Sequence, residues 1–277
     1  MHILGTSSRP DLPLAVVVGA GALGMAVARR LALSYRVLLA DIDGARAEAN
    51  AEAMRSEGCD ASALACDVTS HEQVAALAGS VRERGGMGAW VQVAGLSPSL
   101  GDYRTIMRVN LMGAALVAAA LLPEVRPGAA GVLIASLAAH SYTPSPEARA
   151  ILAEPARDDL AERLAEVIGD LATPAMAYTH SKFGLLMMAR RLAPAWGARD
   201  ARIVSLSPGL IATPQGALEF EKSPGKRAMF DASPLRRECT MLEIADVAEF
   251  LVSPRASFIS GTDLLVDGGL AAALGAI

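Results

Sequence analysis

The sequence has few cysteines, no cluster of basic residues and no long unbroken apolar run. The three cysteines, Cys59, Cys66 and Cys239, do not have the spacing of a metal-binding or redox motif. An odd number of thiols without such a pattern is typical of a reducing compartment, so we expect a cytoplasmic protein without disulfides. The net charge of −4 is spread along the chain, which argues against nucleic acid or an anionic membrane as a partner.

Membrane-spanning and secretory segments are not expected either. The apolar runs are short and interrupted by glycine, proline or charged residues, and residues 1–13 lack the apolar core of a signal peptide. What the chain does contain is 52% apolar residues, 19% charged residues and 25 glycines in 277 positions, a composition typical of a compact α/β enzyme. Because no repeat or low-complexity linker interrupts it, we expect a single domain over residues 1–277.

A strand, a glycine-rich turn and a helix follow one another near the amino terminus. Residues 14–18 form a continuous apolar run typical of a buried parallel strand, and residues 25–32 have a helical composition. Glycines between them permit a tight turn and let backbone N–H groups approach a pyrophosphate at the helix N-terminus. The G-x-G-x-x-G spacing alone is weak evidence, since it often marks only a tight turn. The candidate cofactor-binding residues of this turn are Gly19, Gly21, Ala22, Leu23 and Gly24.

An acidic residue ends the second predicted strand, over residues 36–40. Asp41 lies 17 positions after Gly24, near the offset at which a carboxylate binds the adenosine ribose of a dinucleotide. Such a carboxylate accepts hydrogen bonds from two ribose hydroxyls and repels a 2′-phosphate, which favours NAD over NADP. Alternatively, Asp41 caps the helix predicted over residues 45–56. We favour ribose binding because Asp41 terminates the strand, and we include its neighbour Ile42 in the candidate site.

Strands and helices continue to alternate along the chain, which predicts an α/β fold. Further strands are expected at 61–66, 90–95, 131–135, 202–207 and 263–267, and further helices at 70–84, 108–122 and 243–252. The pattern is that of a Rossmann-like, doubly wound parallel sheet, which binds ligands at the carboxyl ends of its strands. The residues that stand at those ends include Asp67 and Val68, Ala94 and Gly95, and Ser136.

A tyrosine and a lysine lie four positions apart at the start of a helix that the spacing of apolar residues predicts over residues 178–191. Tyr178 and Lys182 would therefore point to the same side of a helix, with the phenol beside the ammonium group. A nearby cation favours the phenolate and lowers the pKa of tyrosine from its usual value of about 10, so that it can exchange a proton with a substrate near pH 7. By itself the pair is weak evidence, because tyrosine and lysine often share a solvated helix face by chance.

Taken together and in order, these motifs resemble the short-chain dehydrogenase/reductase family over residues 14–270. Gly19, Gly21 and Gly24 stand where the family has its cofactor glycines, and residues 93–95 are similar to its Asn-Ala-Gly strand end. Residues 208–213 resemble the segment that binds the nicotinamide amide. The resemblance places cofactor contacts at Asp67, Val68, Ala94, Gly95, Tyr178, Lys182, Pro208, Gly209, Ile211 and Thr213, and catalytic positions at Asn110, Ser136, Tyr178 and Lys182.

The resemblance implies an NAD-dependent oxidoreductase that interconverts a secondary alcohol and a ketone. Tyr178 would take the hydroxyl proton, Lys182 would lower its pKa and hold the nicotinamide ribose, and Ser136 would bond to the substrate oxygen. Asn110 would position a water that joins Lys182 to solvent. His180 lies on another helix face, and we expect a structural role for it.

Two alternatives stay open at this point. A non-enzymatic NAD-sensing protein would keep the fold without the chemistry, but the complete catalytic set argues against it. A sugar-nucleotide epimerase shares the tyrosine and lysine, but it usually needs a larger C-terminal region than residues 215–277.

Two departures from the family pattern bear on the cofactor site. The family's glycine turn is usually G-x-x-x-G-x-G, one residue longer than residues 19–24, so the phosphate contacts are expected to differ in detail. Val93 stands where the family usually has asparagine, and we expect a strand-bracing hydrogen bond to be absent.

The segment between Ser136 and Tyr178 spans 42 positions, which is far longer than usual in the family. Within the inserted residues, about 140–176, an apolar stripe over residues 158–168 predicts an amphipathic helix. This helix would be a lid over the substrate, a subunit contact or a structural appendage. A similar insertion occurs in bacterial 3α-hydroxysteroid dehydrogenase/carbonyl reductases, a resemblance that favours a bulky apolar, steroid-like or cyclic substrate.

Two features of the C-terminal third also suggest contacts with other molecules. Residues 214–240 are polar, contain glycine and proline, and are too long for a simple connection, so we expect a mobile substrate-binding loop. The apolar tail at 270–277 would be costly in water and is expected at a subunit interface or packed on the core. We expect a homodimer or homotetramer that acts on a small-molecule alcohol or ketone.

Overall fold

A seven-stranded parallel sheet forms the centre of the protein. The computed structural model describes residues 11–212 and 224–276. The strands lie in the order β3-β2-β1-β4-β5-β6-β7, and every neighbouring pair is parallel. Their bounds are β1 Leu14–Val18, β2 Arg36–Asp41, β3 Ala61–Ala65, β4 Met87–Gln92, β5 Val125–Ile134, β6 Arg202–Pro208 and β7 Asp263–Val266.

Helices cover both faces of this sheet. Their bounds are α1 Ala22–Leu31, α2 Gly44–Ser56, α3 His71–Glu83, α4 Tyr103–Met107, α5 Ala114–Leu121, α6 Pro146–Leu152, α7 Leu160–Ile168, α8 Pro174–Gly197, α9 Pro224–Ala232, α10 Met241–Val252 and α11 Leu270–Ala273. Helices α1, α2 and α10 bury apolar residues on one face, and α3, α5 and α8 do so on the other. The doubly wound, Rossmann-like α/β fold predicted from the sequence is confirmed.

The alternation of strand and helix places the carboxyl ends of all seven strands at one edge of the sheet. Strand β1 is buried at all five positions, as expected for an inner strand with helices on both sides. The turn at Gly19, the segment after β4, Ser136 after β5 and Gly209 after β6 therefore lie on the same side of the molecule. This is the side where a parallel sheet binds ligands.

Several element boundaries differ from those predicted. Strand β4 ends at Gln92, so Ala94 and Gly95 lie in the following loop. The helix predicted over 108–122 begins at Tyr103, because the Asp102 side chain caps it by accepting the Thr105 N–H. Helix α8 begins at Pro174, one turn before Tyr178, with Thr173 as its cap.

The inserted segment contains two helices, of which the sequence predicted one. Helix α7 buries Leu160 and Leu164 of the apolar stripe and packs against α4 and α6, while α6 packs against α8. Arg104 and Glu162 form an ion pair of 3.4 Å between α4 and α7. The segment therefore packs on the helical layer beside the carboxyl edge of the sheet.

The apolar stretch Tyr103–Glu124 is long enough to span a membrane by length and composition, among the residues described. It packs on the sheet, and 56% of its most apolar window is buried, so the protein core accounts for its composition.

In the C-terminal tail, Leu270 and Ala271 are buried, which corresponds to the core-packing alternative. Helix α9 lies in the region predicted as a loop, and residues 214–223 lie outside the described residues.

Candidate active site

Lys182 is the most deeply buried charged group at the carboxyl edge of the sheet, with 5% of its surface exposed. Its Nζ donates a hydrogen bond of 2.8 Å to the carbonyl oxygen of Ile134, the last residue of β5. Burial lowers the pKa of the Lys182 ammonium from 10.5 to about 8. The group is therefore still mostly charged at pH 7 and is fixed against the strand that leads into Ser136.

Tyr178 lies one helical turn before Lys182, on the same side of α8. The Lys182 Nζ is 5.6 Å from the centre of the Tyr178 ring. The Tyr178 side chain is half-buried. The structure thus brings together the pair that the sequence predicted.

Asn110 connects the loop after β4 to helix α8. It lies in a π-helical turn, Arg108–Gly113, which joins α4 to α5. Its Oδ1 accepts the Leu96 N–H at 2.7 Å, and its Nδ2 donates to the Leu96 carbonyl at 3.0 Å and to the Ser181 Oγ at 3.3 Å. The buried amide is therefore hydrogen-bonded on all these sides and holds the loop close to α8.

Gly95 lets this loop approach the lysine. A Cβ at position 95 would lie 3.3 Å from the Asn110 Oδ1 and 3.5 Å from the Lys182 Nζ. A side chain here would therefore crowd the Asn110 amide and contact the Lys182 ammonium group. The preceding residue, Ala94, donates its N–H to the Val18 carbonyl at 2.7 Å, which anchors the loop to the end of β1.

Ser136 follows β5 and caps a short 3-10 turn, Leu137–His140, which contacts α8. Its Oγ accepts the Ala138 N–H at 3.2 Å. In this bond the hydroxyl oxygen is the acceptor, so the O–H group remains available as a donor. The hydroxyl can accordingly donate its proton to a substrate oxygen.

The three glycines of the first turn have different structural roles. Gly19 has φ of +100°, and a Cβ there would lie 2.5 Å from the Ala94 nitrogen; at Gly24 it would lie 1.8 Å from the Gly19 carbonyl oxygen. A Cβ at Gly21 would meet no atom within 4 Å among the described residues. Gly19 and Gly24 are therefore required by the turn itself, whereas Gly21 leaves bare backbone at the N-terminus of α1, as a bound pyrophosphate requires. Ala22 and Leu23 form the first turn of that helix.

Asp41 is buried and already has several donors. Its Oδ2 accepts the Ala20 N–H at 2.6 Å, and its Oδ1 accepts the Asp43 N–H at 2.9 Å and pairs with the Arg46 guanidinium at 2.5 Å. The cap of α2 is Asp43, which accepts the Arg46 N–H, so the capping alternative for Asp41 is wrong. Ile42 is 70% exposed beside it.

The remaining cofactor candidates also lie at strand ends. The Asp67 carboxylate accepts both the N–H and the hydroxyl of Thr69 at 2.8 Å, while Val68 is buried. After Pro208, the Gly209 N–H donates to the Val266 carbonyl, and Ile211 forms a bridge with Cys239. Thr213 lies outside the described residues.

His180 faces away from the tyrosine and lysine, as predicted from the helical spacing. It is fully buried and makes an edge contact with the Tyr142 ring at 5.5 Å. Burial lowers the pKa of its imidazole, which favours the neutral form.

Sequence reasoning missed partners that only the folded chain brings together. The Ile134 and Leu96 backbone groups carry no residue-type signal, because any residue supplies them. Arg46 did carry a signal, since it lies one helical turn from the cap of α2 and five positions after the predicted ribose-binding carboxylate.

The sequence is similar to known proteins over nearly its whole length. A short chain dehydrogenase family model matches residues 13–148, and an enoyl-(acyl carrier protein) reductase model matches residues 164–271. The short-chain dehydrogenase/reductase bsc3 of Alternaria brassicicola is 33% identical over 94% of this chain and 96% of its own length. The chain belongs to the short-chain dehydrogenase/reductase family.

Another protein and a solved structure are also similar to this short-chain dehydrogenase/reductase. The 3-alpha-hydroxysteroid dehydrogenase/carbonyl reductase of Comamonas testosteroni is 31% identical over 68% of this chain and 74% of its own. The crystal structure of gox2181 has a TM-score of 0.76 and 26% identity, and the match covers 95% of this chain and 96% of that one. Family membership makes the protein an oxidoreductase of the type that uses a nicotinamide cofactor on small molecules.

Proposed function

We propose that this short-chain dehydrogenase/reductase is NAD-dependent and interconverts a secondary alcohol and a ketone. The observation that carries the proposal is the position of the Lys182 Nζ. It is buried against the carbonyl of Ile134, two residues before Ser136, and lies 5.6 Å from the centre of the Tyr178 ring. A fixed ammonium group beside a phenol favours the phenolate, and the Ser136 hydroxyl follows just after the end of β5.

The residues present fit a nicotinamide dinucleotide. Gly21 leaves open space at the N-terminus of α1, where backbone N–H groups and the helix dipole favour a pyrophosphate. Gly95 lets the loop after β4 lie close to Lys182, the residue that would hold the ribose. When bound, the nicotinamide ring accepts hydride from the alcohol or returns it to the ketone.

The protein groups then move one proton and stabilise one oxygen. In alcohol oxidation, the Tyr178 phenolate takes the hydroxyl proton, and Lys182 stabilises the phenolate. The Ser136 hydroxyl donates to the substrate oxygen as its charge changes. In ketone reduction, Tyr178 returns the proton to the same oxygen. Asn110 holds the loop at Leu96 close to Lys182, and its predicted role toward a water chain is part of the proposal.

NAD is the proposed cofactor because Asp41 ends β2, where a carboxylate is expected to bind the ribose hydroxyls of a dinucleotide. The Asp41 side chain accepts the Ala20 N–H in the turn before α1, which holds it at that end of the sheet. Arg46, which pairs with it, is half exposed and offsets part of the Asp41 charge. We therefore expect NAD to be preferred over NADP by a modest factor.

A bulky apolar alcohol or ketone is the proposed substrate class. It is supported by the likeness to the Comamonas protein, whose name includes both hydroxysteroid dehydrogenase and carbonyl reductase. The inserted helices α6 and α7 add apolar bulk next to α4 and α8, the helices that surround the catalytic residues. We further propose a cytoplasmic homodimer or homotetramer.

A substrate panel with both cofactors tests the function. Purified protein is assayed with secondary alcohols and ketones, including steroids and cyclic terpenoids, with NAD and NADP in parallel. We expect cofactor-dependent redox turnover, and we expect Tyr178→Phe to lower kcat by roughly 10²-fold or more while leaving NADH binding intact. Full turnover by Tyr178→Phe would refute the catalytic assignment.

The same assay separates the alternatives. NADH binding without turnover of any substrate would indicate an NAD-sensing protein. Inversion of a sugar nucleotide without net change of cofactor redox state would indicate an epimerase.

A further inference from the structure

A buried polar cluster lies beside the candidate active site and has no part in the proposed chemistry. The Asp263 carboxylate lies 2.9 Å from the His140 Nε2 through its Oδ2 and accepts the Ser207 hydroxyl at 3.0 Å through its Oδ1. The side chain of Asp263 is 6% exposed and that of His140 is 18% exposed. We call these three residues the Asp263 cluster.

The Asp263 cluster joins two segments that the proposed reaction must hold in register. Ser207 is the penultimate residue of β6, and Gly209 follows that strand in the segment proposed to bind the nicotinamide. His140 is the last residue of the 3-10 turn that Ser136 caps. Asp263 itself is the first residue of β7, paired in register with Ser205. One carboxylate therefore bonds to both segments.

The turn transmits the position of His140 to the Ser136 hydroxyl. The Ala138 N–H donates to the Ser136 Oγ at 3.2 Å, and the Ala139 N–H donates to the Ser136 carbonyl at 2.9 Å. The turn is thus bonded to Ser136 at its start and to Asp263 at its end. Movement of His140 would shift Ala138 and rotate the Ser136 hydroxyl.

We propose that Asp263 is a positioning residue, which fixes the Ser136 hydroxyl relative to the nicotinamide-binding segment through His140 and Ser207. The proposal rests on the proposed oxidoreductase function for its effect on turnover. Hydrogen bonds to a charged, nearly buried carboxylate are stronger and more directional than neutral ones, which suits a fixed anchor. The bonds of Asp263 are to His140 and Ser207, so we expect its removal to act on the orientation of Ser136 and to leave the cofactor contacts at the glycine turn in place.

Substitutions at Asp263 and along β6 test this role. Asp263→Ala removes the anchor, whereas Asp263→Asn keeps one acceptor and a donor of the same shape. Ser207→Ala removes one of the two bonds, with little change of volume. Ser205→Ala is the matched control, because Ser205 is buried on the same strand and its Oγ makes no hydrogen bond within residues 11–212 and 224–276.

The expected result is a loss in kcat at unchanged cofactor affinity. We expect Asp263→Ala to lower kcat by on the order of tenfold, with NADH Kd within about twofold of wild type, because a small misplacement of a positioned group slows the reaction strongly. Asp263→Asn should recover most of the rate, Ser207→Ala should fall between them, and Ser205→Ala should equal wild type. Unchanged kcat in Asp263→Ala, or a parallel loss in Ser205→Ala, would overturn the proposal.

Hydrogen exchange provides a measurement that does not depend on turnover. The amides of Ala138 and Ala139 should exchange faster in Asp263→Ala and Ser207→Ala than in wild type, and Asp263→Asn should restore slow exchange. If wild type turns over no substrate but this pattern holds, the proposed reaction fails and the anchor stands. If exchange at the turn is the same in all variants, the anchor fails, whatever the protein catalyses.

Discussion

A buried ammonium group is costly for the protein, and Lys182 shows the size of that cost. Burial lowers its pKa to about 8 from 10.5, which corresponds to a penalty on the order of 3 kcal/mol on the charged form. The hydrogen bond to the Ile134 carbonyl offsets only part of it. A group retained at this cost is typical of a functional site.

Lys182→Met tests this trade between stability and activity. Methionine fills a similar volume without charge, so the burial penalty disappears while the bond to Ile134 is lost. The net result should be a free energy of unfolding about 1–2 kcal/mol larger than that of wild type at pH 7. Turnover should fall by roughly 10²-fold or more because the phenolate loses its cation. Chemical denaturation and steady-state kinetics measure the two effects. A variant that is both less stable and fully active would contradict the role given to Lys182.

The pH dependence of that stability difference has a defined sign. Below pH 8 the folded and unfolded wild-type chains both hold the Lys182 proton. Between about pH 8 and 10.5 the folded protein has released it while the unfolded chain still binds it, so wild-type stability rises with pH. The stability of Lys182→Met relative to wild type should therefore fall by on the order of 2 kcal/mol between pH 7.5 and 9.5, which removes the advantage of the variant. A constant difference across this range would show that the burial penalty is absent.

Arg46 gives a second residue-level test, on cofactor choice. It offsets the Asp41 charge, and its removal leaves the carboxylate free to repel a 2′-phosphate. We expect Arg46→Ala to lower kcat/KM with NADP by roughly fivefold, about 1 kcal/mol, and to change kcat/KM with NAD by less than about twofold. Arg82→Ala is the control, because Arg82 forms a comparable exposed pair with Glu124 away from β2. Equal effects on both cofactors would place Arg46 outside the ribose site.

At the scale of single residues, the sequence predicts which side chains take part in the proposed reaction but not which groups hold them in place. The spacing of Tyr178 and Lys182 is enough to place both on one side of a helix, since helical geometry is local. The bonds from Asn110 to Leu96 and from His140 to Asp263 join residues 14 and 123 positions apart. Such pairs depend on strand order, which no local pattern contains.

At the scale of secondary-structure elements, the first glycine turn contains glycines that the fold itself requires and one that only a bound ligand would require. Gly21→Ala should fold normally, because Gly21 has φ of −70° and its Cβ position is open among the described residues. It should nevertheless weaken NADH binding by roughly tenfold, since a methyl group would occupy space needed by the pyrophosphate. Gly24→Ala should instead lower thermal stability, because its Cβ would meet the Gly19 carbonyl.

Calorimetric titration of NADH and thermal unfolding distinguish these two glycines. Tight NADH binding by Gly21→Ala would mean that the pyrophosphate does not approach this turn. A Gly24→Ala protein with wild-type stability would mean that the turn relaxes readily, and the short glycine spacing would then carry no structural constraint.

Element boundaries were harder to predict than element type. The capping residues Asp102 and Thr173 precede stretches without strong apolar periodicity, so the helices that they begin were predicted to start about one turn later. The π-helical turn that positions Asn110 has no signal in apolar spacing, since a single extra residue per turn is set by packing. Helix α6 was missed because it is only seven residues long.

At the scale of the whole molecule, alternating strands and helices were sufficient to predict the fold. Continuous apolar strands joined by helices leave few arrangements other than a parallel sheet with helices on both faces. The same reasoning could not place the insertion, because an amphipathic stripe specifies that a face is buried and not which surface buries it. The structure shows that α7 packs on α4, with Arg104 and Glu162 paired across the contact.

The surface of the whole molecule also suggests how subunits would meet. Phe258 is fully exposed, and Leu264 is partly exposed on β7, the strand at one end of the sheet. An edge strand with exposed apolar side chains is a site for association with a second chain. Leu33 is also an exposed apolar residue, but it precedes β2 near the other end of the sheet.

We therefore expect Phe258→Asp to lower the molecular mass of the protein assembly in solution, because a charge buried at a subunit contact is unpaired. Leu33→Asp should leave the mass unchanged, because a charge on a free surface is hydrated. Size-exclusion chromatography with light scattering at micromolar protein measures this directly. A wild-type monomer would contradict the expected homodimer or homotetramer. An oligomer that resists Phe258→Asp would place the contact elsewhere. The inserted helices α6 and α7 would then be the next candidates, because they add a surface over α4 and α8.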